Sequence, residues 1–475
     1  MRNLAAYTLV VLCPTLGVLF LSGSAPRPAG GEDKAAPKPG HRYPDFGFLP
    51  PPKLYEGRVF KLSQDFPQAV PAAAAVPEIA KRDFETVKKE WKQYLLDVRA
   101  YCFKGNVGAA NVEDDWRVES NADERWFHMP WQHFGPKGRE GIHGMTKEAP
   151  VQPRQLAWTQ THGDGQTYAV GFYNAFGGYT IGQVWADHEH PGFVGGKRIA
   201  IDFPVGTVVC KVLFVDLDRE DKVPSLDPPL QWQGYVTKGY QSSAREIRSL
   251  SLIQMDVMVR HADAPSGWVF GTFQYNSRRP GADPAKPAWD NLVPVGLQWG
   301  NDPDVRDDTS NPQPTATRIN DKLRETKVND DPRELPPTHL GWNGRLNGPV
   351  DGPMSSCMSC HMTASAPQKV EMSPLFEKRP PAPGSDAWMR WFKNVKCGER
   401  FDPRTTPTDF SLQMAMALQN FYKWRDEGSK MVASGYTPKK VAALEKKPAR
   451  LFGFPLHGGD DDDEVVEIRR DLPRP

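Results

Sequence analysis

Val208-Val209-Cys210-Lys211-Val212-Leu213-Phe214 is the stretch from which the fold class is read. Side chains alternate across an extended chain, so Val208, Cys210, Val212 and Phe214 share one side and more mixed neighbours take the other. That pattern predicts a strand with one buried face. The same period recurs from Gln155 to Asp302, with Gly and Pro as punctuation. Ser249 to Arg260, Trp268 to Tyr275 and Leu292 to Trp299 read as further strands. Tyr168 to Tyr173 and Tyr179 to Trp185 read as a hairpin across Phe176-Gly177-Gly178. Upstream, Phe84, Val87, Trp91, Leu95, Val98 and Cys102 recur at three- and four-residue steps, the period of an amphipathic helix.

The fold expected is multidomain α+β. A β-rich sandwich or jelly-roll-like domain, with the long helix against it, precedes a small, mostly α domain. The boundaries read from composition are an N-terminal apolar segment at 1–25, a Pro-rich linker at 26–76, the helix plus β-rich domain at 77–302, and a polar linker at 303–338. A smaller domain at 339–430 and a polar, acidic tail at 431–475 follow. With a formal net charge of +1 over 475 residues, the chain carries no electrostatic funnel for DNA or RNA, and nucleic acid is excluded as a partner.

The chemistry concentrates in Cys357-Met358-Ser359-Cys360-His361. Cys-x-x-Cys-His is the attachment pattern for covalent haem: two cysteine sulfurs form thioethers to the porphyrin, and the adjoining histidine lies under the iron as its proximal ligand. A redox dithiol makes no use of the trailing histidine. A zinc site needs a second ligand pair, and no second Cys-x-x-Cys exists in the chain. The cofactor expected is one covalent haem c held by Cys357, Cys360 and His361.

Such attachment takes place outside the bacterial cytoplasm, and the N-terminus has the form of an export signal. Arg2 supplies a short positive region, Leu4 to Leu21 is almost unbroken in its apolar character, and Ser22-Gly23-Ser24-Ala25 offers small residues for cleavage. The apolar run also has the length of an uncleaved membrane tether. Cys13 lies inside it without the small residue that precedes a lipidated cysteine. Of six cysteines, this leaves Cys102 and Cys210 on apolar faces and Cys397 in a polar stretch, an odd set that gives no disulfide framework.

Other candidates are weaker. Arg125 to Met145 mixes Trp131, His133, Arg139 and His143 with glycines, a composition suited to lining a site. Gly182 followed by His188-Glu189-His190, with Pro204-Val205-Gly206 beyond, resembles parts of a cupin metal motif. Two of its four ligands are missing, so polar residues at a strand end are the expectation there. Trp342 and Arg345 precede the haem motif at a distance suited to stacking on a haem edge and meeting a propionate. Asp460 to Glu464, with His457 nearby, is an acidic run that is solvated by default and offers docking to a basic redox partner.

The haem motif, an aromatic segment capped by Ser385 with Trp388, Met389, Trp391 and Phe392, and a closing helix from Thr408-Asp409 to about Asp426 together resemble a class I cytochrome c domain. The whole layout resembles single-haem c-type cytochromes of an uncharacterised exported bacterial family. A more distant similarity is to the cytochrome c-prime-beta group, carried by Gly206 to Lys211 and Gly267 to Phe273, although the stretch from sheet to motif is much longer here. The helix that normally carries a class I motif is interrupted by Gly348-Pro349 and Gly352-Pro353. The resemblance implies a periplasmic protein that transfers electrons with redox partner proteins rather than a catalyst with its own substrate. It also implies a downstream methionine as sixth iron ligand. Met372 and Met389 are the candidates, ahead of Met414 and Met416. The alternatives are a haem enzyme or small-gas-binding protein with an open iron, in which Trp131, His133, Arg139 and His143 are distal groups, and a partner- or carbohydrate-binding β domain fused to a redox module. N-terminal sequencing of the exported protein should begin close to Ala25 or Pro26; a chain retaining Leu4 to Leu21 would instead identify a tether.

Overall fold

The computed structural model describes residues 47–106, 118, 121, 123–132, 139–161, 165–194, 197–217, 222–237, 244–306, 319–336 and 340–423. The N-terminal apolar run with Cys13, the first part of the Pro-rich stretch, His133, and the tail with His457 and Asp460 to Glu464 lie outside these residues. In chain order come helices α1 (Phe84–Lys89) and α2 (Trp91–Phe103), strands β1 (Thr146–Pro150) and β2 (Gln166–Tyr173), then helix α3 (Ala175–Val184). Strands β3 (Phe193–Val194), β4 (Lys197–Arg198), β5 (Val208–Asp216), β6 (Gln231–Thr237), β7 (Arg245–Arg260), β8 (Trp268–Tyr275), β9 (Leu292–Gln298) and β10 (Thr326–Val328) follow. The remainder holds helix α4 (Cys357–His361), strand β11 (Ser365–Ala366), helix α5 (Asp386–Met389), strand β12 (Thr406–Pro407) and helix α6 (Leu412–Lys423).

Eight strands make one antiparallel sheet in the order β1-β2-β5-β7-β8-β9-β10, with β6 also paired to β7. The chain is thus sheet-rich α+β. Among the described residues this is a single large sheet rather than the two facing sheets of a sandwich. The 16-residue β7 is its spine, meeting β6 along Arg245 to Ser251 and β8 along Gln254 to Arg260.

The alternation read in β5 is present as far as Val212: Val208, Cys210, Val212 and Phe214 enter a core with Val170, Phe172, Met255, Val257 and Phe273, and beyond the irregularity at Leu213/Phe214 the residues Leu213 and Val215 join the same core. Helix α2 seals this face with Tyr94, Leu95, Val98 and Cys102. Gly271 lets it approach, since a Cβ there would stand 2.2 Å from Leu95 Cδ2. The opposite face is buried as well. Tyr173, Val209, Met258, Trp268 and Phe270 share a second core with Met358, Met362, Trp388, Met389, Phe392, Phe410 and Met414. Residues of the segment 340–423 therefore cover the sheet directly. Within that segment the three helices have 5, 4 and 12 residues and are joined by irregular chain.

Tyr179 to Trp185 is not the second arm of a hairpin but belongs mostly to α3. Asn174 caps that helix by accepting from Gly177 N at 3.3 Å. The paired glycines permit close packing instead of a turn, because a Cβ on Gly178 would lie 2.4 Å from the Phe127 ring. His188-Glu189-His190 consequently follows a helix, in bends where the Asp187 carboxylate accepts from Glu189 N and His190 N at 3.0 Å each. The closing helix begins at Leu412, later than Thr408-Asp409, and Ser411 Oγ accepts from Met414 N at 3.1 Å as its cap.

Part of the stretch read as a linker is structured: Thr326–Val328 extends the sheet beside β9, and Asp302 accepts from Arg324 N and Glu325 N. In the Pro-rich stretch, Phe48 and Phe60 donate backbone N–H groups to Arg139 O and Gly141 O at 2.8 and 3.0 Å, and Phe66 enters the second core.

Arg345 ties the segment before the motif to the end of the sheet. It has no accessible surface, and its guanidinium donates to the carbonyls of Asn301, Trp342, Asp302 and Val305 at 2.6 to 3.2 Å. Its Cζ also sits 4.8 Å from the ring centroids of both Trp342 and Phe392. These bonds consume the donors that a propionate would require, and Trp342 is buried with it. Burial pulls the Arg345 pKa down to about 10, against the opposing pull of Asp302 and Glu325. Arg345→Ala should cost roughly 3 kcal/mol or more in a urea titration, because several buried carbonyls lose a charged donor. Lysine should restore little, lacking the planar fork; a loss under about 1 kcal/mol for alanine would contradict this role.

Candidate functional site

One short helix, α4, carries the motif. Ser356 and Ser359 form a reciprocal cap, with Ser356 Oγ accepting from Ser359 N at 3.1 Å and Ser359 Oγ accepting from Ser356 N at 2.7 Å. The cap is anchored in turn, since Ser356 Oγ donates to Asn301 Oδ1 at 3.0 Å and Met358 N to Gln298 Oε1 at 3.2 Å. Met358 and Met362 are buried in the second core, and Cys357 packs against the same core. Cys357, Cys360 and His361 are only partly buried and keep some accessible surface.

Neither thiol is in a disulfide. Burial, reinforced by Asp256 and Asp351, pushes Cys357 well above the ordinary thiol range, and burial brings Cys360 to about 11. A redox dithiol works through a lowered thiol pKa; this environment does the opposite.

His361 Nδ1 lies 2.8 Å from the carbonyl of Phe410. A carbonyl only accepts, so Nδ1 carries the proton and Nε2 the lone pair. Nε2 has no hydrogen-bond partner among the described residues. Burial lowers the His361 pKa to about 4, which keeps the imidazole neutral and able to coordinate at neutral pH. A metal-binding histidine ordinarily has this arrangement, with the far nitrogen tied to a carbonyl. Phe270 packs on the ring at 5.0 Å. Two partly buried thiols and a neutral imidazole with Phe270 beside it are the donor set that a covalently attached haem would use.

The sheet brings a polar row to the motif. In register, Gly171 pairs with Lys211, Lys211 with Asp256, Asp256 with Thr272, and Thr272 with Gly296. Thr272 Oγ1 donates to Asp256 Oδ1 at 3.0 Å and lies 3.8 Å from Cys357 Sγ. Gln254 Nε2 bridges Asp256 and Asp351, donating to Oδ2 of each at 2.9 and 3.1 Å. Lys211 Nζ is 3.4 Å from Glu148 Oε1. Burial and then Asp351 drive the Asp256 pKa up to about 7, despite Lys211. Burial works to lower Lys211, but Glu148, Asp256 and Asp351 outweigh it and hold the amine above its usual value.

Met389 is buried in the second core, and Met372 is partly exposed just before the short turn Pro374–Phe376. Met414 and Met416 are buried along α6. The other loop candidates are dispersed. Trp131 packs on Phe421 at 5.3 Å, Arg139 donates to the carbonyls of Gly144 and Met129, and His143 stacks on Trp232 at 4.1 Å. Among the described residues no cluster of three or more His, Cys, Asp or Glu has the arrangement of a metal site. No helix there is long and apolar enough to cross a membrane. Cys102 and Cys210 are core neighbours, as their apolar surroundings in sequence suggest.

Lys211 and Asp256 escaped the sequence reading, although each is a lone charge inside an apolar strand, which is the signal that would have found them. Asp351 and Phe410 lie in loops whose approach to the motif no local pattern encodes. No protein-family model, curated protein or solved structure matches this chain.

Asp256 generates a pH test. Its carboxyl rises from an ordinary 3.8 to about 7 on folding, so the folded chain binds that proton more tightly. The associated stability is present below the lower value and is lost as pH rises through the higher one. Asp256→Asn should therefore be more stable than the parent at pH 7, by an amount on the order of a few kcal/mol, and equal to it near pH 4. Denaturant titrations across that range that show a pH-independent difference would contradict the assignment.

Proposed function

We propose that the protein is an exported c-type cytochrome carrying one haem c. Cys357 and Cys360 supply the thioether sulfurs, and His361 Nε2 is the axial ligand. The observation that carries this reading is the His361 Nδ1 bond to the Phe410 carbonyl. It fixes the ring, selects the tautomer, and leaves Nε2 with its lone pair unused. The haem would supply one-electron Fe(III)/Fe(II) chemistry. Cys357 and Cys360 would hold it covalently, His361 Nε2 would coordinate its iron, and Phe270 and Phe410 would exclude water nearby.

Electron transfer with redox partner proteins is the role we assign, with residues 339–430 as the haem-carrying, cytochrome-like unit. The export reading rests on Arg2 and the apolar run Leu4 to Leu21, which support a periplasmic or equivalent location, with a membrane tether as the form taken if that run is retained. Met372 and Met389 stand as candidates for the second axial ligand.

A second reading has its own support. Lys211, Asp256 and Asp351 converge beside the motif, and a pure carrier has little use for such a group next to its haem. They suit proton delivery to a small molecule bound at an open iron. Absorption spectra of the reduced protein with and without carbon monoxide separate the two. A low-spin spectrum unmoved by carbon monoxide is expected for a carrier, and either Met372→Ala or Met389→Ala should then make the iron reactive. Rapid carbon monoxide binding by the parent chain would replace the carrier role with the open-iron role.

A further inference from the structure

The carbonyl that meets His361 is presented by an unusual turn. Asp409 and Phe410 are consecutive non-glycine residues with φ of 48° and 65°. L-residues seldom adopt that region, Asp and Asn more readily than most, and a phenylalanine there must be held by its surroundings. The turn is fastened on several sides. Thr408 N donates to Ala364 O at 3.1 Å, just beyond the haem motif, and Thr408 Oγ1 donates to Ser411 O at 2.8 Å. Tyr173 OH and Ser411 Oγ are 2.8 Å apart, joining the turn to β2.

Its strongest fastening is the Asp409 carboxylate, which is almost wholly buried. Oδ2 accepts from Phe203 N at 2.8 Å, and Oδ1 accepts from Trp268 Nε1 at 3.1 Å. Charge-assisted bonds of this kind are stronger than neutral ones. They pin the residue immediately before Phe410 to two separate parts of the body: the chain leading into β5 and the start of β8. A carbonyl so restrained keeps its distance and angle to Nδ1. A strong Nδ1–H···O=C bond gives the imidazole more anionic character and makes it a better ligand for Fe(III).

We propose that Asp409 is a positioning residue: by locking the strained turn, it holds the Phe410 carbonyl against His361 and so lowers the reduction potential of the haem iron. This rests on the haem reading above. Asp409 touches neither the metal nor its ligand; it acts through the backbone of its neighbour.

The test uses the full haem-bearing chain. Asp409→Asn keeps the size of the side chain and its tolerance of positive φ, but turns one accepting oxygen into a donor facing an N–H. The haem should stay attached. The potential should rise by about tenfold in the Fe(III)/Fe(II) equilibrium, ~59 mV for one electron, and the ferrous iron–histidine stretch should fall in frequency. Trp268→Phe removes one of the two bonds and should produce a smaller shift of the same sign. Val395→Ala, a cavity elsewhere in the same core, should lower the melting temperature without moving either readout. If Asp409→Asn does not fold, Trp268→Phe decides alone. An unchanged potential and stretch in the haem-bearing variant, or an equal shift from Val395→Ala, would overturn the proposal and leave the haem reading intact. A parent chain without covalent haem would remove both.

Discussion

The sheet is buried on both faces, and this constraint organises the molecule. A sheet with one wet face can place charge freely on that side, but here α2 seals one face and residues 340–423 seal the other. A polar side chain in the middle of β5, β7 or β8 must therefore find partners within the protein. Lys211, Asp256, Thr272 and Gln254 do so by joining one another and reaching Glu148 and Asp351. The polar row is consequently both a folding cost and a distinctive chemical surface, and it lies where the Cys357–His361 helix docks.

Docking is precise because it is redundant. Arg345 gathers four carbonyls ahead of the motif, Ser356 ties its cap to Asn301, and Met358 and Met362 sink into the shared core. What remains partly accessible of a five-residue helix is two thiols and an imidazole. A short helix of this kind has little stability of its own. Its geometry is borrowed from the sheet beneath it, which links the packing of the fold directly to the chemistry of the site.

Much of this architecture was legible in the residues. Period two placed β7, β8 and β9 to within a few positions, and period three to four placed one long helix that the structure divides at Glu90 into α1 and α2, because burial on one face writes itself into the chain. The reading failed where two structures share a local signature. Phe176-Gly177-Gly178 has the letters of a turn, yet the glycines serve close packing against Phe127 within a helix. The second core was invisible for a different reason: Val209, Met258 and Phe270 are the mixed neighbours in their strands, and only the distant segment 340–423 makes them interior. Arg345 looked available to an anionic group, and what occupies it is backbone from forty residues upstream. Cys357, Cys360 and His361 were singled out by spacing, whereas the approach of Phe410 to His361 depends on a turn that tertiary contacts of Asp409 hold.

The central claim is that a porphyrin is joined to Cys357 and Cys360. Intact-mass measurement of the full chain, produced in a host competent for haem attachment, tests it most directly. The mass should exceed that of the polypeptide by one haem, the addition should map to the peptide containing residues 357–361, and replacing both cysteines with serine should abolish it. A mature chain of unmodified mass from such a host would contradict the account.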